Sequence, residues 1–222
     1  MTRRAAFLGL LVTLLLGDGS SGAVAANRHP LAGRIFVVDP GHGVRYPDGS
    51  PLNVGAVGPG GIAESAVTLA IGEDLTALLR RAGARVVLTR SYAHPYRTGT
   101  NLRLDNRARA ALANRLGATA FVAIHADASL DRSKGGTSVF WLKPNSVALA
   151  NAVRRRLAPL GLGESAFYAR DLAVTNEATV PAVLVETGFV TNRRQARLLT
   201  DPNFQRREAK ALFDAIADVF AR

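Results

Sequence analysis

Residues 119–125 read Thr-Ala-Phe-Val-Ala-Ile-His, an almost wholly apolar run that ends on a histidine. Without polar alternation, so short a run has the pattern of a strand covered on both faces, which is the signature of a parallel sheet. Working outward, Arg34–Val38, Arg85–Thr89, Thr137–Leu142 and Ala182–Val185 read as further strands. Between them lie helical patterns. Val67, Ile71, Leu75, Leu78 and Leu79 recur at helical spacing before Gly83, and Leu104, Ala108, Ala111, Leu112 and Leu116 do so before Gly117. Residues 146–157 read as a helix, and a last one runs from about 204 to 220, with Leu212, Phe213, Ile216 and Phe220 inward. Strands alternating with helices imply right-handed crossovers and a single α/β domain: a mainly parallel, twisted sheet with helices on both faces. Residues 161–180 read as polar connection, and 40–61 as a long loop rich in Gly and Pro.

The topology then gathers polar residues that are far apart in sequence. Asp39, His125 and Glu186 each directly follow an apolar run. His42 lies three residues past the Asp39 position, and Glu64 opens the first long helix. In a parallel sheet all of these fall on the carboxyl edge, where open α/β folds keep their sites. Singly, each has an ordinary explanation: His125 a hydrogen-bonded core residue, Glu64 a first-turn acid favoured by the helix dipole, Asp39 part of a turn before Pro40. Glu186, ending the run AVLV, is costly to bury without a partner. Together, two imidazoles and one carboxylate with a fourth position left to water match an open catalytic zinc site. A further carboxylate outside the metal shell can take a proton from that water.

Composition narrows the alternatives. The chain has 222 residues with no cysteine, so disulfides, thiolate metal sites and a cysteine nucleophile are excluded. Its 28 basic against 17 acidic side chains give a formal charge of +11, and only Lys134, Lys143 and Lys210 are lysines. No basic stripe is interleaved with aromatics, so nucleic acid is not the expected partner; an anionic cell-envelope polymer is. Arg3 and Arg4, the uncharged run 5–16 and the small-residue stretch with Ala23-Val24-Ala25 have the order of a secretory signal peptide. Residues 1–25 are therefore expected to be removed, leaving 26–222 as a catalytic domain in the periplasm or cell wall. The apolar run falls short of the ~20 residues a spanning helix needs, so no stable membrane insertion is expected.

The segments VVDPGHG (37–43), GGIAESAVTLAIGEDL (60–75), FVAIHADAS (121–129) and PAVLVETGFVTN (181–192) resemble the zinc-dependent amidase-3 type of N-acetylmuramoyl-L-alanine amidase. RVVLTR (85–90), LDNRARAALAN (104–114) and GTSVFWL (136–142) fit the same family, so the resemblance covers residues 34 to about 220. It implies a six-stranded sheet, His42, Glu64 and His125 as zinc ligands, and Glu186 as the catalytic acid–base. It further implies hydrolysis of the amide between N-acetylmuramic acid and L-alanine in peptidoglycan. Arg170, ahead of the strand that carries Glu186, is a substrate-binding candidate. Val44 and Ser65 depart from the family pattern, which often has Gly and Lys there, and the 43–61 loop differs in length. These departures touch no ligand.

Two other classes share some of these features: a peptidoglycan-binding module that keeps the fold without turnover, and a basic nucleic-acid binder. The four site residues argue against the first, and the leader pattern and missing aromatic platform against the second. A monomer is expected. In the regulated branch of the family a helical insert after the strand matching 137–142 covers the metal. Here Lys143-Pro144-Asn145 leads at once into the next helix, so an open site is expected, with the 40–61 loop as the competing candidate for a gate.

Overall fold

A computed structural model describes residues 29–43, 53–91 and 102–221. The leader and part of the Gly/Pro loop, residues 44–52, lie outside the described residues. Six strands form one sheet in the order β2-β1-β3-β6-β4-β5. They are β1 (Ile35–Pro40), β2 (Arg85–Leu88), β3 (Ala120–Asp127), β4 (Thr137–Trp141), β5 (Glu164–Ala169) and β6 (Ala182–Phe189). The four strands β2, β1, β3 and β6 run parallel, whereas β4 pairs antiparallel with β6, and β5 follows β4 in parallel. The mainly parallel expectation holds, with the β4–β5 pair reversed.

The helices are α1 (Glu64–Arg81), α2 (Leu102–Arg115), α3 (Val147–Leu157), α4 (Ala173–Glu177), α5 (Arg193–Leu199) and α6 (Pro202–Phe220). On one sheet face α1, α3 and α6 pack over Phe36, Val38, Val122, Ile124, Val183 and Val185. On the other, α2 and α4 cover Val37, Phe121, Ala123 and Leu184. The alternate residues of each strand thus feed two separate cores, as apolar runs without polar alternation require. Among the described residues no helix is long and apolar enough to cross a membrane.

Three details differ from the pattern-based reading. Residues 164–169 form an edge strand inside the stretch read as connection. Its sequence ESAFYA is mostly solvent-facing, and Phe167 and Tyr168 give it an anchor by stacking on Trp141 and Phe140, with ring centroids 4.5 and 5.1 Å apart. The apolar runs of β1, β3 and β6 do not end before their polar residues; Asp39, His125 and Glu186 lie within the strands, since ladder hydrogen bonds belong to the backbone. The buried face of α2 carries Asp105, Arg109, Ala110 and Ala113, while Leu112 and Leu116 are only half-buried. An internal ion pair rotates that helix away from the face its leucines suggest.

Glu208 in α6 is fully buried with no hydrogen-bond partner on either oxygen. Burial pushes its carboxyl well above the usual carboxylate range, slightly countered by Arg207. A raised folded-state pKa means the protein binds this proton more tightly than the unfolded chain does. Its contribution to stability is therefore present in acid and lost as pH rises through the folded value. Glu208→Met is expected to raise stability at neutral pH by about 1–3 kcal/mol, the cost of an unpartnered buried polar group. Denaturant titration should show the gain shrinking toward pH 4.

Candidate metal centre and active site

The turn after β1 brings His42 to the edge of the sheet in an unusual conformation. Its φ is 60°, a left-handed value that costs a non-glycine residue roughly 1–3 kcal/mol unless its surroundings impose it. They do. Arg90 donates through Nε to the Pro40 carbonyl and through Nη2 to Gly41 O, both at 2.9 Å. Arg109 donates to the carbonyls of Pro40 and His42, at 3.1 and 3.0 Å, and Thr68 Oγ1 donates to Gly41 O at 3.0 Å. Two buried guanidiniums thus hold three successive carbonyls of the turn.

Arg109 itself is anchored by Asp39 Oδ1 at 2.8 Å and Asp105 Oδ2 at 3.0 Å, all three side chains being essentially inaccessible. Burial alone would lower the Arg109 pKa, but the two carboxylates outweigh it and raise it. Asp39, expected in a turn, is instead a strand residue held by Arg109 and by Thr89 Oγ1 at 2.5 Å. Arg109→Ala leaves two buried carboxylates without their shared cation and should cost about 3–5 kcal/mol in unfolding free energy. A chemical denaturation midpoint within error of the parent would show that the cluster is not a structural anchor.

Glu64 leaves the first turn of α1 and lies between the two imidazoles. His42 Nε2 is 3.1 Å from Glu64 Oε2, and His125 Nδ1 is 3.0 Å from Oε1. The rings stand edge to face at 76°, centroids 5.0 Å apart. One ligating atom from each of His42, Glu64 and His125 falls within 4.8 Å of the others, a group able to hold a metal ion. Backbone N–H groups of Ala56 and Ala126 donate to the two Glu64 oxygens at 3.0 and 3.1 Å. Burial raises the Glu64 carboxyl, but its bonds to His125 and His42 and their charge prevail and hold it well below the usual carboxylate range.

The donor chemistry fits a cation. Asn53 Oδ1 accepts from Gly55 N at 3.0 Å, so it is the amide oxygen that faces His42 Nδ1 at 3.1 Å, and that nitrogen carries the proton. In the neutral ring Nε2 then presents a lone pair to a carboxylate oxygen, an arrangement that needs positive charge between them. A tetrahedral ion with ~2.0–2.1 Å bonds keeps its ligand atoms about 3.3 Å apart, close to the 3.1 and 3.0 Å from each imidazole nitrogen to its nearer Glu64 oxygen, with all three ligand atoms within 4.8 Å. Glycines make room for the site: a Cβ on Gly41 would lie 2.4 Å from the His125 ring, and one on Gly55 2.5 Å from Glu64 Oε2.

Glu186 stands directly across from His125 in the β3–β6 ladder, and β4 places Ser138 on its other side. Its Oε2 is sealed from solvent and has no hydrogen-bond partner. Burial pushes this carboxyl well above its ordinary range, assisted by the charges of Glu64 and Asp127 and opposed by Arg170. Arg170 follows β5, whose reversed direction starts it at the opposite end of the sheet. Its side chain lies over the Phe140 ring, 5.1 Å from the centroid, on the face that carries Glu186.

A family model described as N-acetylmuramoyl-L-alanine amidase, Amidase_3, matches residues 36–218. The chain belongs to the Amidase_3 family. A probable cell wall amidase, LytH of Staphylococcus epidermidis, is 27% identical over 87% of the chain. The chain spans 60% of that relative's length. A Bacillus subtilis protein, YqiI, is 30% identical over 96% of this chain and 95% of its own. Among solved structures, the N-acetylmuramoyl-L-alanine amidase AmiC2 of Nostoc punctiforme superposes with a TM-score of 0.72 at 30% identity, covering 84% of this chain and 96% of that one.

Within this Amidase_3 chain the residues singled out from sequence, His42, Glu64, His125 and Glu186, converge at one edge. Arg170 reaches the same face from the far end. Sequence reasoning missed Arg90, Arg109 and Asn53. The available signals were an arginine immediately after the β2 run and an Asp105–Arg109 pair at i, i+4.

Proposed function

We propose that the chain hydrolyses the amide joining N-acetylmuramic acid to L-alanine in peptidoglycan, using zinc held by His42, Glu64 and His125. The observation that carries this reading is the placement of three ligating atoms within 4.8 Å of one another, next to an unpartnered Glu186 carboxylate oxygen on the neighbouring strand. When bound, zinc supplies a Lewis acid that acidifies a water and polarises a carbonyl. Glu186 accepts the water proton at its carboxylate and delivers it to the leaving amine nitrogen, so one residue serves as base and then as acid. A carboxyl whose proton affinity is raised by burial suits that double use. Asn53 holds His42 in the tautomer that presents Nε2, while Arg90 and Arg109 hold the turn. Arg170 is proposed to contact substrate from the Phe140 side.

Removal of residues 1–25 on export is part of the same proposal, which places the domain in the periplasm or cell wall. Turnover without an activator is proposed as well. Between β4 and β6 the chain builds α3, β5 and α4, with α3 packed on α6 and α4 on α2, so this stretch supplies no helix placed as a lid. Purified protein is expected to release L-alanine-headed peptides from soluble N-acetylmuramoyl peptides with no partner added. Chelation should stop the reaction and zinc restore it. Strict dependence on an added protein would contradict the open site, and indifference to chelation would contradict the metal.

A further inference from the structure

Next to the metal centre, residues 57–60 and the start of α5 enclose a second cavity of about 430 Å³, lined by Val57, Gly58, Arg132, Thr191 and Arg193 among others. It adjoins the site through the chain itself. Ala56 N contacts Glu64 Oε2, and Gly58 is two residues further, at most ~7 Å of backbone. Gly58 packs so closely on the Val190 carbonyl that a Cβ there would lie 2.0 Å from its oxygen, which joins the two walls backbone to backbone.

The cavity is basic, with two exposed arginines on backbone segments that are tied together. Arg132 and Arg193 make no ion pair with a described residue, and no acid is among the described lining residues. Asp131, next in sequence to Arg132, is turned away: its Oδ1 accepts from Ser133 N at 3.0 Å and Ser133 Oγ at 2.6 Å. Asn192 ties the two arginine-bearing segments together. Its Nδ2 donates to the carbonyls of Ser133 and Lys134, at 3.2 and 3.0 Å, while its Oδ1 caps α5. Ser129 N is bound by Thr191 Oγ1 at 2.9 Å. Two exposed guanidiniums that line one cavity with no acid among the described lining residues repel each other, and a bound anion removes that cost. The volume lies within the range of small-ligand sites.

We infer that this cavity is an anion subsite that takes a carboxylate of the peptide part of the substrate while the scissile amide lies at the metal centre. The inference rests on the amidase reading for the identity of the peptide. It predicts a preference for an acidic residue beyond the L-alanine over its neutral amide.

The test measures binding, so that it does not depend on turnover. In the Glu186→Gln background and zinc-containing buffer, calorimetric affinities are compared for N-acetylmuramoyl-L-alanyl-D-glutamic acid and for the same compound with both glutamate carboxylates amidated. The acid is expected to bind about tenfold more tightly. Arg132→Ala/Arg193→Ala should abolish that preference and leave the diamide affinity unchanged, which also reports intact folding. Arg155→Ala/Arg206→Ala, removing equal charge elsewhere, should retain it. Equal affinity for acid and diamide in the parent, equal weakening of both by the double variant, or the same loss in the distant control would overturn the subsite. If the acid preference holds but the unmutated protein hydrolyses no N-acetylmuramoyl peptide, the amidase reading falls and the subsite stands.

Discussion

His125→Ala is expected to lose metal and turnover together. In the proposed centre the side chain supplies one of three protein ligands from the middle of a parallel ladder, between β1 and β6, and among the described residues the group able to hold a metal is His42, Glu64 and His125 alone. Zinc content after dialysis should fall from about one ion per chain toward zero, and hydrolysis by at least about 10³-fold, since both the acidified water and the carbonyl polarisation go with the ion. His42→Gly should do the same and also relieve the left-handed residue at φ 60°, because a residue without a Cβ adopts that conformation freely. A comparison of the two separates metal loss from local strain: both lose zinc, but only His42→Gly removes an unfavourable backbone. Full zinc content in His125→Ala would show that the ion is held by other residues.

Glu186→Gln is the complementary case. The amide is nearly isosteric, keeps the position opposite Ser138, and removes only the ability to accept and return a proton. Zinc should stay bound while turnover falls by about 10²-fold or more, the range for a lost general acid–base. Thermal stability should not fall, because the parent buries a carboxyl with an unpartnered oxygen there. Loss of zinc from this variant would make Glu186 a ligand and move the proton-transfer role elsewhere.

The difference between these two variants follows from how the site is encoded. Apolar runs made the parallel strands legible, and the rule that their carboxyl ends share one edge was enough to bring His42, Glu64, His125 and Glu186 together. Strand direction was less legible. Nothing in TSVFW (137–141) distinguishes an antiparallel strand from a parallel one, because side-chain periodicity is the same in both. The edge strand ESAFYA was hidden by its exposure, since only a stacked pair of aromatics marks it as structured. Arg109 was hidden for the opposite reason. In LDNRARAALAN it looks like a solvated helix residue, and its burial depends on Asp39, seventy positions away in the chain and invisible to any local pattern. The four edge residues could thus be read from local context, whereas the groups that hold them in place could not.

That distinction affects the expected phenotypes. Substitutions at Arg90 and Arg109 act through the His42 turn and the fold, so their losses should appear in unfolding curves before they appear in zinc content. Glu186→Gln should leave the unfolding transition of the metal-free protein close to that of the parent.

The bond that is cut provides the most direct test of the account. Purified sacculi digested with the mature domain and analysed by mass spectrometry should yield free stem peptides whose amino terminus is L-alanine, with glycan strands that keep their lactyl groups and unbroken sugar linkages. Peptides cut at an internal amide, shortened glycans, or sacculi left intact by zinc-loaded protein would contradict it.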